Sequence, residues 1–334
     1  MVINWQQLLK TAYLLKRRLR PDYNSKTGQS LLDGPRMIQI QTIDACNGSC
    51  ACCPYVGGDN KKLTRSMDWH LYIKLVDELS RVDSLREFVL MLQNEPLLDE
   101  NLVKRVRQAR MKLKKPIRIY IVTNGTLLSS SVVKELFDAG LDHVEVSLDA
   151  LTEDTYNRVR AGLEFNRVLE NTHMLIAQGG MKKVIVRFLI QKSNAHELKA
   201  FNAYWVKNGA TVKFQDMTNR AGTLRYYMSL RPELPPDLYA RIEKMVMGNQ
   251  PCISGPFDRL NVLSDGRALA CCQDWRHDFI LGDISRQSLT EIWTGSEAAF
   301  FRNILWHGQF GKSTICATCS NRMVFPGRTV TKFP

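Results

Sequence analysis

Nine cysteines stand in this chain of 334 residues, and they form two groups. Cys46, Cys50, Cys52 and Cys53 lie early; Cys252, Cys271, Cys272, Cys316 and Cys319 lie late, and none falls between 54 and 251. Cysteines used as small core residues would be scattered, and an odd number argues against a disulfide framework. Cys46, Cys50 and Cys53 are spaced C-x3-C-x2-C within Asp44-Ala45-Cys46-Asn47-Gly48-Ser49-Cys50-Ala51-Cys52-Cys53-Pro54. Thiolates are soft ligands suited to iron–sulfur clusters or zinc. Three of them on a cubane leave one iron open to a further ligand, whereas a structural zinc takes a fourth residue. The late group includes one C-x2-C pair, Cys316-Ala317-Thr318-Cys319.

Such loops need a scaffold. From about residue 36, β-type runs alternate with helical ones. The runs are Met37–Ile43, Glu87–Leu92, Ile117–Thr123, His143–Leu148, Val184–Gln191 and Thr211–Met217. Helical patterns include Trp69–Leu79, Asn101–Leu113, Ser130–Ala139 and Ala195–Lys207. Six βα units with long crossovers predict parallel strands. Periodicity alone fits an open partial barrel or a doubly wound sheet, and both build their sites from loops at the C-terminal ends of strands. The early cysteines follow the first strand, where such a site belongs.

After about 225 the pattern changes. A helical stretch, Pro235–Met247, leads to short strands, Gly-containing turns and the late cysteines, which predicts a small α+β domain stapled by metal. The expected divisions are an N-terminal amphipathic helix and lead-in over 1–35, the main α/β unit over 36–225, a helical linker over 226–250 and the metal-stapled domain over 251–334. Within residues 1–20, Trp5, Leu8, Leu9, Tyr13 and Leu19 recur at near-helical spacing, and Pro21 ends the run. This helix caps the main unit or, since it carries five positive charges and no acid, lies on a membrane surface.

A hydrophobic fraction of 44% and a charged fraction of 24% are those of an ordinary globular chain. The absence of a long apolar run or a secretory signal places the expected location in the cytoplasm. The net charge of +13 suits an acidic or phosphorylated ligand, a membrane surface, or merely a well-solvated basic face. The basic residues are scattered apart from Lys16, Arg17, Arg18 and Arg20, so nucleic acid is not an expected partner.

The Cys46–Cys53 loop resembles the signature of the radical S-adenosylmethionine (SAM) superfamily. Asn94-Glu95-Pro96 resembles its Gly-Gly-Glu-Pro segment, with Gln93 and Asn94 in place of the glycines. Thr123-Asn124-Gly125 follows the third strand as expected. Ser147-Leu148-Asp149, with Tyr156 and Arg160 beyond it, resembles the segment near the ribose and carboxylate of the cofactor. Arg187 is a further carboxylate candidate, and Asn219-Arg220-Ala221-Gly222 resembles a segment preceding an auxiliary domain. The resemblance implies an open partial (β/α)6 barrel. It makes Cys46, Cys50 and Cys53 cluster ligands and Asn94, Glu95, Asn124, Ser147, Arg160 and Arg187 cofactor-binding residues. One electron from the reduced cluster would cleave SAM to a 5′-deoxyadenosyl radical that takes hydrogen from substrate.

Cys252, Cys271, Cys316 and Cys319 resemble the ligands of a SPASM domain, shortened to the Twitch type. Leu281-Gly282-Asp283-Ile284 and Ser288-Leu289-Thr290-Glu291-Ile292-Trp293 resemble it too. Two 4Fe-4S clusters and SAM are therefore the expected cofactors, and a flavodoxin or ferredoxin the expected electron donor. Cys272 and Cys52 carry no ligand role and are candidate catalytic thiols, the first as a hydrogen donor. The expected activity is an oxidoreductase or epimerase acting on a small sugar- or aminocyclitol-like molecule, because only about 35 residues precede the barrel and leave no room for a peptide leader-binding domain. Modification of a ribosomal peptide, by epimerisation or crosslinking, and a non-enzymatic iron–sulfur or zinc module are the alternatives.

Overall fold

The computed structural model describes residues 34–55, 65–114, 116–180, 183–224, 226–232, 257–306 and 309–320. The amphipathic stretch 1–20, the Pro235–Met247 stretch and Cys252 lie outside them. In chain order the elements are β1 (Met37–Ile40), α1 (Trp69–Leu79), β2 (Glu87–Val89), α2 (Leu102–Lys112), β3 (Arg118–Thr123), α3 (Ser130–Asp138), β4 (His143–Ser147), α4 (Glu153–Val159), α5 (Phe165–Gly179), β5 (Val184–Ile190), α6 (Leu198–Lys207), β6 (Thr211–Asp216), α7 (Tyr227–Leu230), β7 (Arg259–Val262), β8 (Arg267–Leu269), β9 (Ile280–Asp283), α8 (Leu289–Thr294), α9 (Ser296–Trp306) and α10 (Thr314–Ala317).

The strands form one sheet in the order β6-β5-β4-β3-β2-β1-β7-β8-β9. The seven from β6 to β7 run parallel, β8 runs antiparallel to β7, and β9 antiparallel to β8. The sheet does not close on itself, so the expected open partial barrel is what the chain builds. The C-terminal segment continues the same sheet: β7 lies beside β1, from Met37 opposite Arg259 to Ile40 opposite Val262.

Alternation along the strands gives the sheet two unlike faces. Ile38, Ile40, Phe88, Ile119, Ile121, Val144, Val146, Val186, Phe188, Leu260 and Val262 point outward into one core with the helices, each such burial contributing roughly 1.5–3 kcal/mol. Helix α1 buries Tyr72, Leu75, Val76 and Leu79 on one stripe, and Asp68 caps it by accepting from the backbone N–H groups of His70 and Leu71. The inner face has a smaller apolar floor of Val89, Tyr120 and Val122, with Met37 and Met91. Beyond that floor the face carries polar side chains such as Gln39, Glu145, Arg187, Lys213 and Asn261, with Ile185 and Leu189 among them.

Strand β1 ends at Ile40, three residues short of the expected run, because the polar side chains from Gln41 onward turn to loop partners such as Asp44. The crossover after β4 holds two helices: α4 buries only Thr155, Tyr156 and Val159, and α5 buries Phe165, Val168, Leu175 and the polar Thr172. Among the described residues no helix is long and apolar enough to cross a membrane.

Candidate active site

The loop after β1 folds the three spaced thiols back over the sheet. The Gly48 N–H donates to Cys46 Sγ at 3.5 Å, and the Cys53 N–H to the Cys50 carbonyl at 3.0 Å. Cys46, Cys50 and Cys53 are close enough to perturb one another. Burial, then the nearby Glu95 and the two other thiols, pushes Cys46 up to about 12, against the Gly48 hydrogen bond that lowers it. Burial likewise raises Cys53. Buried thiols of this kind hold their protons until a metal replaces them. Cys52 is 5% exposed, packs in the main core and is pushed up to about 12, chiefly by burial.

Glu95 anchors the adjoining loop. Its Oε1 accepts from Thr123 Oγ1 at 2.6 Å and from the Leu97 N–H at 3.1 Å; its Oε2 accepts from the Asn124 N–H at 2.7 Å. The buried carboxylate thus holds the ends of β2 and β3 together, although burial raises its pKa against those three bonds. Its own N–H donates to Ala45 beside the thiol loop. Asn124 Nδ2 reaches Asn47 Oδ1 at 2.7 Å, between Cys46 and Gly48. Asn94 turns toward its own loop, accepting from the Leu92 N–H at 3.1 Å, and reaches Thr42 Oγ1 at 3.4 Å.

At the end of β4, Ser147 pairs with Arg187 on β5. Asp149, at φ +63°, reaches Arg160 Nη2 at 2.5 Å. Arg160 Nη1 lies 3.6 Å from Cys50 Sγ, so an ion pair backs one thiol with a fixed positive charge. Several buried polar atoms around these loops have no hydrogen-bond partner: Arg160 Nε, Tyr156 OH, Arg220 Nε and Trp275 Nε1. Buried polar groups are ordinarily satisfied, so these atoms suit a bound polar ligand. Among the described residues no set of three or more His, Cys, Asp or Glu side chains converges on a single ion. The three spaced donors of the first loop are all thiols, the soft donor set that suits an iron–sulfur cluster.

Past β6, one short segment joins both C-terminal thiol loops. Arg220, Ala221 and Gly222 all adopt left-handed backbone, at φ +50°, +52° and +84°. Asn219 Nδ2 donates to the Thr318 carbonyl at 2.6 Å, and the Asn219 and Ser320 N–H groups reach each other's side chains at 2.9 and 2.7 Å. This fixes Cys316 and Cys319. A Cβ on Gly222 would meet Thr318 Oγ1 at 2.7 Å, so only glycine fits. On the other side, Thr218 Oγ1 donates to Gln273 Oε1 at 2.7 Å, next to Cys271 and Cys272. Cys272 packs against Leu92, Leu263 and Leu269.

Gln93 ties this second thiol loop to the first site. Its Nε2 donates to the Asp274 carbonyl at 2.8 Å and reaches the Cys272 carbonyl at 3.5 Å, while its Oε1 lies 3.0 Å from His277 Nε2. A glycine at this position could make none of these contacts.

Arg187 does not join Arg160. It lies on the inner face, where its Nη1 donates to Glu145 Oε2 at 2.8 Å and its Nε to Gln215 Oε1 at 3.2 Å. Lys213 Nζ lies 3.0 Å from Glu145 Oε1. Burial raises Glu145, but His143, Arg187 and Lys213 outweigh it and hold the carboxyl at about 2 instead of 4.5. The lowered value means stability present above about pH 4.5 and lost as pH falls toward 2, of the order of 3 kcal/mol. Urea unfolding at pH 6 and pH 3 should therefore show a larger loss for the parent than for Glu145→Gln. Glu145 and Lys213 escaped the sequence reading, which noted Gln93 only as standing where the family has glycine; a charge between two valines in His143–Ser147 was a usable signal for Glu145.

Residues 40–202 match the family model of the radical SAM superfamily, and residues 252–320 match SPASM, an iron–sulfur cluster-binding domain. A relative from Niallia circulans, named S-adenosyl-L-methionine-dependent 2-deoxy-scyllo-inosamine dehydrogenase, is 24% identical over 288 residues, 85% of this chain and 92% of its own. The crystal structure of BtrN with AdoMet and 2-DOIA aligns at a TM-score of 0.58 and 22% identity, covering 86% of this chain and 93% of that one. Streptococcus suis SuiB bound to the precursor peptide SuiA aligns at 0.63 and 14% identity, covering 96% and 84%.

Proposed function

From the premise that this chain belongs to the radical SAM superfamily and carries a SPASM iron–sulfur domain, we propose that it oxidises a small hydroxylated molecule to a carbonyl. The hydrogen atom on carbon would pass to the 5′-deoxyadenosyl radical, giving 5′-deoxyadenosine, the hydroxyl proton would leave to solvent, and the remaining electron would pass to the auxiliary cluster. Cys46, Cys50 and Cys53 would hold the cluster that meets SAM, and Cys252, Cys271, Cys316 and Cys319 the auxiliary one. When bound, these groups supply the one-electron chemistry, cleaving the sulfonium at the first site and accepting the substrate's electron at the second. The chain's own residues do the positioning. Glu95 fixes Asn124 and the β2 loop, the Asp149–Arg160 pair sets a positive charge against Cys50, and the buried surround keeps water away.

The observation that carries the oxidative reading is Gln93, whose side chain joins the two loops through Asp274, Cys272 and His277. Gln93 thereby packs the second thiol loop against the loop after β2, which supports a short path for the electron. The dehydrogenase name of the Niallia circulans relative supports the same reading. Anaerobic incubation with dithionite and SAM should yield 5′-deoxyadenosine; its absence would refute the radical chemistry.

Cys272 and Cys52 separate oxidation from epimerisation. An epimerised substrate must regain hydrogen, and a thiol is a suitable donor. Under the oxidative reading, Cys272→Ala and Cys52→Ala, singly and together, should retain turnover. Product formed in deuterated water should carry no solvent deuteron at the reacting carbon. Loss of product with 5′-deoxyadenosine formation intact, together with deuteron uptake in the parent, would establish epimerisation instead.

A further inference from the structure

The inner sheet face carries more cations than its own carboxylates neutralise. Strand alternation puts Glu87, Arg118, Glu145, Arg187, Lys213 and Arg259 on that face, because Phe88, Ile119, Val144, Val186 and Leu260 pack outward. On the seven parallel strands that is four cations against two carboxylates, with Arg259 also facing Asp258 and the Cys271–Cys272 loop. Glu87 pairs with Arg118, and Glu145 serves both Arg187 and Lys213. The Lys213 side chain is 45% exposed and Arg259 Nε has no hydrogen-bond partner.

Beside this surplus, polar atoms are buried unpaired. Asn261 is 0% exposed, yet neither its Nδ2 nor its Oδ1 has a partner. Across the β1–β7 pairing, Gln39 Oε1 is also unpaired. Buried polar groups are ordinarily hydrogen-bonded. A hydroxyl both donates and accepts, so it can serve an amide NH2 and an amide oxygen.

We propose that the inner face is the substrate site, that Asn261 and Gln39 take its hydroxyls, and that the half-exposed Lys213 takes a carboxylate or phosphate on the same molecule. The proposal rests on the small-molecule reading above and narrows it to an acidic hydroxylated substrate. A protonated amine would meet the surplus cations, and both inner carboxylates are already engaged.

One hexose scaffold in four charge states tests this: glucose 6-phosphate, glucuronate, glucose and glucosamine, titrated calorimetrically into the cluster-loaded full chain with SAM present. At least one acidic probe should bind ten times more tightly than glucose, and glucosamine should not bind; which acid wins separates phosphate from carboxylate. Lys213→Gln should weaken the acidic probe about tenfold and leave glucose unchanged. Asn261→Leu, which removes the unpaired amide at similar volume, should weaken every binding probe while raising Tm. Preference for glucosamine, no binding by either acid, or equal affinity in Lys213→Gln would each overturn the assignment. Formation of 5′-deoxyadenosine, measured without any probe, reports separately on the radical reading.

Discussion

Replacing Cys46, Cys50 and Cys53 together with Ala should abolish 5′-deoxyadenosine formation and remove about half of the iron. Two four-iron clusters predict about eight iron atoms in the reconstituted parent and about four in the variant. The three thiols crowd one buried loop, where desolvation holds Cys46 at about 12 and raises Cys53, so their loss removes donors without exposing a charge. Cys316 and Cys319 sit on another loop, fixed by Asn219 and Gly222, and the late cysteines should keep their iron. Zinc in place of the residual iron would refute the two-cluster reading, and cofactor cleavage by the variant would refute the first site.

Glu95→Ala should lower SAM affinity on the order of ten- to a hundredfold and lower stability as well. The carboxylate accepts three hydrogen bonds in a fully buried position. Removing it strands the Asn124 N–H and frees the ends of β2 and β3, at a cost of about 3 kcal/mol. Affinity falls because Asn124, with Asn47 beyond it, loses its fixed place beside Cys46. Thr123→Val removes a single donor and should cost about 1 kcal/mol. Calorimetric SAM binding and urea unfolding read the two effects apart. Unchanged affinity at reduced stability would make Glu95 a strand clamp with no part in cofactor positioning.

The parts legible beforehand were those written in spacing. The strands β1 to β6 emerged from apolar alternation, and the thiol loops from residue type and interval. Glu95 and Asn124 were legible as a pair of turns, but not as partners 29 residues apart in one hydrogen-bond set. Partnerships of that kind depend on strand register, which periodicity does not specify. Arg187 shows the limit most clearly. A basic residue on a strand near the site suggested a carboxylate ligand, whereas its alternation phase sets it on the inner face beside Glu145 and Gln215. Asn261 gave no signal, since an amide in a short strand reads as ordinary until its neighbours are known.

The seat of β1 between β2 and β7 bears on how the protein is made. The strand that completes one side of β1 begins at Arg259, more than two hundred residues after Met37. At roughly 5–20 residues per second of synthesis, that delay is on the order of ten to forty seconds. Throughout it, the loop bearing Cys46, Cys50 and Cys53 hangs from a strand with one edge bare, open to oxidants and to stray metals. Maturation therefore has a natural order. The order that follows is for the early thiols to stay shielded during synthesis, and for a cluster they would hold to arrive once β7 has closed over β1.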